Sequence, residues 1–133
     1  MKKTKKSSYE GLQKSIRKLK TPAIEVWENQ YKDKDYWIEM DIPEFTCICP
    51  KTGLPDFATI TIEYRPGKYC IELKSFKYYI NSYRDYGVFH EHVINKILED
   101  FVKAACPKQA IITGVFNLRG GIKTTVSAEY KKK

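Results

Sequence analysis

The run Phe45-Thr46-Cys47-Ile48-Cys49-Pro50-Lys51-Thr52-Gly53-Leu54-Pro55-Asp56 places two thiols and a carboxylate in a stretch dense with turn formers. A thiolate is a potent nucleophile if its surroundings lower its pKa or supply a base. Pro50, Gly53 and Pro55 bend the chain just after Cys49, which makes this thiol more accessible than one on a buried strand face. Asp56 lies seven positions on, close enough across a bend to share a pocket with Cys49. The spacing alone also fits the ordinary alternative, an inert packed thiol. The chain has four cysteines, Cys47, Cys49, Cys70 and Cys106, which in a reducing cytosol are thiols.

Other residues could add to this chemistry. Cys47-x-Cys49 and His90-x-His92 make up a four-ligand set for zinc, but structural zinc favours wider cysteine spacing, and helical residues two apart diverge. Glu91 at a helix start is stabilised by the helix dipole, and could equally accept two hydrogen bonds from a guanine-like ring. His90 shares a face with Ile94 and Ile97, which suits a half-buried imidazole. Lys74 and Lys77, three apart, share a helix face that could hold phosphates or simply be solvated. Glu72 just before them reads as an edge carboxylate.

Period-two alternation of Ala58, Ile60, Ile62 and Tyr64 with Thr59, Thr61 and Glu63 predicts a strand over 57–65 with one buried face. Another strand is expected over 36–42, stopped by Pro43, with 44–56 forming a loop. A short strand over 69–73 leads to Ser75 as an N-cap and a helix over 76–83. Ile94, Ile97, Leu98, Phe101, Val102 and Ala105 form a helical stripe within a helix over 89–105, closed by Pro107. Two last strands, 110–117 and 123–130, meet at Arg119-Gly120-Gly121, a hairpin turn. Segregated strands and helices imply an α+β fold, an antiparallel sheet with two helices on one face.

At 133 residues the chain suits one domain. The expected division is a basic, flexible tail over 1–20, a domain over 21–130 and a basic tail over 131–133. The net charge of +8 is carried by these ends: 1–20 hold +7, 131–133 hold +3, and the body between them is −2. Such tails suit solubility; the alternative, an RNA-binding module, needs a basic body. No apolar run reaches the ~18 residues of a membrane span, and no secretory leader is evident. A cytoplasmic protein with no membrane partner is expected.

Together the motifs resemble the short, single-domain NADPH-dependent 7-cyano-7-deazaguanine reductases (the QueF family) of queuosine biosynthesis, a tRNA-modification route. The family's signature run is matched throughout by Glu72-Leu73-Lys74-Ser75-Phe76-Lys77-Tyr78-Tyr79. Cys49 to Thr59 resembles its catalytic loop, Phe89-His90-Glu91 its substrate pair and Arg119-Gly120 its late Arg-Gly. Leu118 departs from a common proline. The resemblance spans residues 36–130. It implies that Cys49 attacks a nitrile carbon to form a thioimide and that Asp56 supplies a proton. It places Ile71, Glu72, Leu73, His90 and Glu91 on the substrate, and Lys74, Lys77, Arg119 and Gly120 on NADPH. No metal and no obligate nucleic acid are implied. It further implies the tunnelling fold, with subunits joined edge to edge in a ring-shaped barrel, two stacked pentamers as a homo-oligomer, and sites at the seams. An amidine-forming relative that adds ammonia to the same thioimide is the nearest alternative; it lacks the cofactor signature.

Overall fold

The computed structural model describes Gly11, Leu12 and residues 15–133, so most of the expected N-terminal tail lies outside the described residues. The alternation along 57–65 becomes an inner strand of the sheet, β3, Pro55–Arg65, with Asp56, Ala58, Ile60, Ile62 and Tyr64 buried on one face. β2, Ile38–Ile48, and β5, Gln109–Phe116, flank β3, and β6, Thr125–Lys131, pairs with β5. The antiparallel order is β2-β3-β5-β6, an open sheet whose edges are β2 and β6.

Pro43 does not end β2. The register against β3 shifts between Ile42 and Phe45, so the proline sits in a bulge on an edge strand, where its missing N–H costs no ladder bond. The extra residue changes which positions face inward. Ile38, Met40 and Ile42 are the half-buried set before the bulge; Phe45 and Cys47 are the buried set after it. A one-residue slip turns over a strand's faces. Cys47 therefore sits on a strand, fully buried, and the expected loop over 44–56 contracts to 49–54.

A second, two-stranded ladder joins β1, Val26–Glu28, to β4, Tyr69–Ile71. β1 is not among the strands expected from the sequence. Three residues carry too little periodicity to be read without their partner. Helix α1 spans Leu73–Asn81 and begins earlier than expected. Its cap is Glu72, whose carboxylate accepts from the N–H groups of Lys74 at 2.8 Å and Ser75 at 3.1 Å. The Ser75 hydroxyl instead donates to the Glu72 carbonyl at 3.0 Å and accepts from the Glu25 N–H at 2.8 Å.

Helix α2, His90–Ala105, buries Val93, Ile94, Ile97, Phe101 and Ala105, in one core with the inward residues of β3 and β5. It ends at Cys106, which takes the left-handed conformation at φ 48° before Pro107. Both helices lie on one face of the sheet, as expected. Asp100 of α2 joins them: Tyr79 donates to it at 2.5 Å and Lys96 at 2.6 Å. Gly120 and Gly121, at φ 58° and 81°, form the two-residue turn whose flanks, Arg119 and Ile122, exchange hydrogen bonds of 3.0 Å. Among the described residues no helix is long and apolar enough to cross a membrane.

α2 rests on β5 at Gly114, where an added Cβ would lie 2.5 Å from Ile94 Cδ1 and 3.1 Å from Phe116. We expect Gly114→Ala to cost about 1–3 kcal/mol in urea denaturation, the usual cost of overpacking. Adding Ile94→Val, which removes the clashing methyl, should give a double variant more stable than the sum of the single effects. Strict additivity would show that this contact does not set the helix–sheet spacing.

Candidate active site

Cys49 opens the turn from β2 to β3. Its N–H donates to the Leu54 carbonyl at 2.9 Å, and its own carbonyl accepts from the Gly53 N–H at 2.8 Å. Gly53 sits at φ 73°, where a side chain would be strained. Thr52 Oγ1 accepts from the Leu54 N–H at 3.2 Å, which fixes the threonine inside the turn. On the other side, Ile48 bonds the chain ahead of α2: its N–H donates to the Tyr86 carbonyl and its carbonyl accepts from the Val88 N–H, both at 2.9 Å. This tie brings the first turn of α2 to the end of the sheet.

Asp56 pairs across the ladder with Cys47 and is 3% exposed. Arg119, just before the β5–β6 turn, places Nη1 2.6 Å from Asp56 Oδ1. Its Nη2 lies 3.4 Å from the Thr52 hydroxyl. The other carboxylate oxygen, Oδ2, is 3.2 Å from His90 Nε2. Such a contact between imidazole nitrogen and carboxylate oxygen requires a proton between them. The His90 ring is stacked on Phe116, with centroids 3.7 Å apart and planes 9° from parallel. His90 is thus held by packing on its face and by Asp56 at its edge.

Burial pushes the Cys49 thiol up, but hydrogen bonds outweigh it. Donors are the Thr52 hydroxyl, the Arg119 guanidinium and the backbone N–H groups of Thr52 and Lys51, and they bring it down to about 7. Cys47, two residues earlier, is pushed up to about 12 by burial, then by the Asp56 charge and by Cys49. One strand end therefore carries two thiols of opposite character, and only Cys49 is a thiolate in useful amount near neutral pH. The zinc arrangement does not assemble: among the described residues no three His, Cys, Asp or Glu side chains converge as a metal site.

The structure thus brings Cys49, Asp56, His90 and Arg119 together. Glu91 lies exposed in the first turn of α2, next to His90. Gly120 is exposed in the hairpin turn. The remaining expected residues lie elsewhere. Ile71, Glu72, Leu73 and Lys74 line a cleft with Tyr64. Tyr64 is eight residues along β3 from Asp56, roughly 26 Å at a strand's rise. Lys77 is on the same helix face as Lys74. Within one chain the two groups do not meet. Two contributors were not singled out in the sequence, Thr52 and Phe116. Thr52 was within the turn-rich run, three residues past Cys49; nothing in the sequence marked Phe116.

The comparisons agree in direction. A family model described as QueF-like protein matches residues 55–133. A protein of Elusimicrobium minutum named NADPH-dependent 7-cyano-7-deazaguanine reductase is 57% identical over 114 residues, 86% of each chain. A protein of the same name from Chloroherpeton thalassium is 55% identical over 113 residues, 85% of this chain and 97% of that one. The crystal structure of the archaeosine synthase QueF-Like in the apo form superposes with a TM-score of 0.68, over 73% of this chain and 95% of that chain, at 23% identity. The chain shares its fold.

Alkylation of Cys49 by iodoacetamide, followed by peptide mass mapping to separate it from exposed Cys106, should rise with pH through a midpoint near 7. Arg119→Met and Thr52→Val should each move the midpoint up, toward the ordinary thiol value of about 8.5. An unmoved midpoint in both variants would show that neither side chain stabilises the thiolate.

Proposed function

The chain belongs to the QueF-like family, and on that premise we propose that it is an NADPH-dependent reductase converting the nitrile of 7-cyano-7-deazaguanine to the amine of 7-aminomethyl-7-deazaguanine, in queuosine biosynthesis. The observation that carries this reading is the shared guanidinium: Arg119 bonds the buried Asp56 and helps to lower the Cys49 thiol beside it. A nucleophile and a proton source are thereby held against each other. That pairing is what a nitrile, a weak electrophile, requires.

The Cys49 thiolate attacks the nitrile carbon, forming a carbon–sulfur bond, while the nitrogen takes a proton from the Asp56–His90 pair. The product is a covalent thioimide, which accepts hydride far more readily than the nitrile. NADPH supplies hydride when bound, and the four electrons between nitrile and amine require two molecules of it. After the first reduction the carbon–sulfur bond breaks, giving an imine and returning the thiolate. The second reduction takes one further proton. Arg119 holds the sulfur's negative charge at the start and at this return. Glu91, at the positive end of α2, would accept hydrogen bonds from the N–H edge of the deazaguanine ring.

Lys74 and Lys77 fit the cofactor's phosphates by their chemistry: both are exposed cations whose ammonium groups have no hydrogen-bond or ion-pair partner among the described residues. They and the Ile71-Glu72-Leu73 segment are far along β3 from Cys49. A second copy joined at the outer β2 and β6 strands would bring its own set to this chain's Cys49, and would cover edges that otherwise invite aggregation. The proposed unit is therefore a ring of subunits, two stacked pentamers, with sites at the seams. A catalytic thiolate also suits the reducing cytoplasm.

Loss of reduced-nicotinamide absorbance on mixing protein, nitrile and NADPH tests the reaction. Cys49→Ala should abolish turnover and the thioimide mass adduct; surviving turnover would remove Cys49 from the chemistry. Asp56→Asn should lower kcat by roughly 10²–10⁴, the usual worth of a positioned acid. Amidine formation from ammonia without NADPH oxidation would instead identify the ammonia-adding activity.

A further inference from the structure

Trp27 lies half exposed, at 51%, on the short strand β1. It is not idle surface. Its indole N–H donates to the Ile71 carbonyl at 3.2 Å, across the ladder in which Trp27 faces Cys70. The ring is thereby pinned while a large part of it stays open to solvent. A pinned, exposed indole offers contact area with little entropy left to lose on binding.

Trp27 walls a cleft of about 440 Å³ together with Met40, Tyr64, Ile71, Leu73 and Lys74. That volume lies in the range of small-ligand sites. The lining is mainly apolar. Its cation, Lys74, has no partner among the described residues. Its carboxylate, Glu72, is turned onto the backbone N–H groups of Lys74 and Ser75, at 2.8 to 3.1 Å, and caps α1 instead of neutralising the lysine. Lys77 follows one helical turn later on the same face. Of the other large side chains in the cleft, Tyr64 is 1% exposed, so Trp27 offers the open aromatic ring.

A flat ring beside an unneutralised ammonium suits a heteroaromatic base joined to a phosphate. A free deazaguanine base carries no phosphate and leaves the lysine unexplained. The adenosine end of NADPH carries both groups. We propose that Trp27 is the platform on which the cofactor's adenine ring stacks, with Lys74 taking the adenosine phosphate. This assignment rests on the reductase reading above, and gives Trp27 a role in cofactor binding.

The test uses adenosine 2′,5′-bisphosphate as the probe, with the full-length protein in its native assembly. Binding is followed by titration calorimetry, which does not depend on the indole as reporter. In parallel, the thioimide adduct formed from the nitrile without any nucleotide is measured by mass spectrometry. Wild type should bind the probe, Trp27→Ala should weaken it by about tenfold or more, and Trp27→Phe should keep most of the affinity. Lys74→Met should weaken the probe but not adenosine itself. Equal probe affinity in Trp27→Ala and wild type overturns the platform, as does a wild type that forms the adduct but binds no probe. A Trp27→Ala protein that loses the adduct while keeping probe affinity also overturns it, and moves Trp27 to the deazaguanine side. A wild type that forms no adduct sinks the reductase reading instead.

Discussion

Arg119 reaches from the end of β5 to a carboxylate that is almost wholly buried, and holds it at 2.6 Å. A buried carboxylate without a partner is costly, so Asp56 can occupy this position only because a cation is brought to it. The same guanidinium approaches the Thr52 hydroxyl and helps to lower the Cys49 thiol. One side chain thus links the turn after β2, the first residues of β3 and the hairpin beyond β5. Its position depends on that hairpin. Gly120 and Gly121 accept positive φ without strain, which lets the chain reverse in two residues and aims Arg119 at the site.

The bulge at Pro43 is the second constraint. Had β2 run straight through, its inward set would have stayed on even-numbered positions, and Thr46 and Ile48 would face the core. The extra residue passes the inward set to Phe45 and Cys47 and leaves Cys47 opposite Asp56. The two neighbouring thiols then part ways. Cys47 is enclosed by strands and meets a carboxylate, and both effects hold its proton on. Cys49 lies at the turn, where backbone N–H groups, a hydroxyl and a guanidinium converge. Small displacements along one strand therefore decide which sulfur can be a nucleophile.

The site at one end of the sheet has no counterpart nearby for the cations of α1. Lys74 and Lys77 extend from a helix that begins at the opposite end of the sheet, and the cleft beside them is walled by β1 and β4. An open sheet with β2 and β6 outermost and two half-sites at its ends is a subunit whose chemistry, as proposed, is completed by a neighbour.

Period-two patterning along 57–65 and the apolar stripe of α2 were legible in the sequence because each depends on local geometry repeated over several residues. So was the Gly-Gly turn, which needs a backbone only glycine adopts freely. The run from Cys49 to Asp56 offered a thiol and a carboxylate in a turn-rich stretch, but spacing alone fitted an inert thiol equally; that Arg119 and His90 converge on the same carboxylate was settled by the fold. Tertiary structure decided the rest. Pro43 reads as a stop, yet on an edge strand it is a bulge, because whether its missing N–H matters depends on what lies alongside. Ser75 reads as a cap, yet Glu72 takes the role because Ser75 is drawn to Glu25 of another segment. The ionisation of Cys49 was beyond the sequence, because it is set by burial, by the turn fold that aims Thr52 and its backbone N–H at the sulfur, and by Arg119, seventy residues away. Charges and hydrogen bonds act through space, and spacing along a chain records only the part of that space the backbone spans locally.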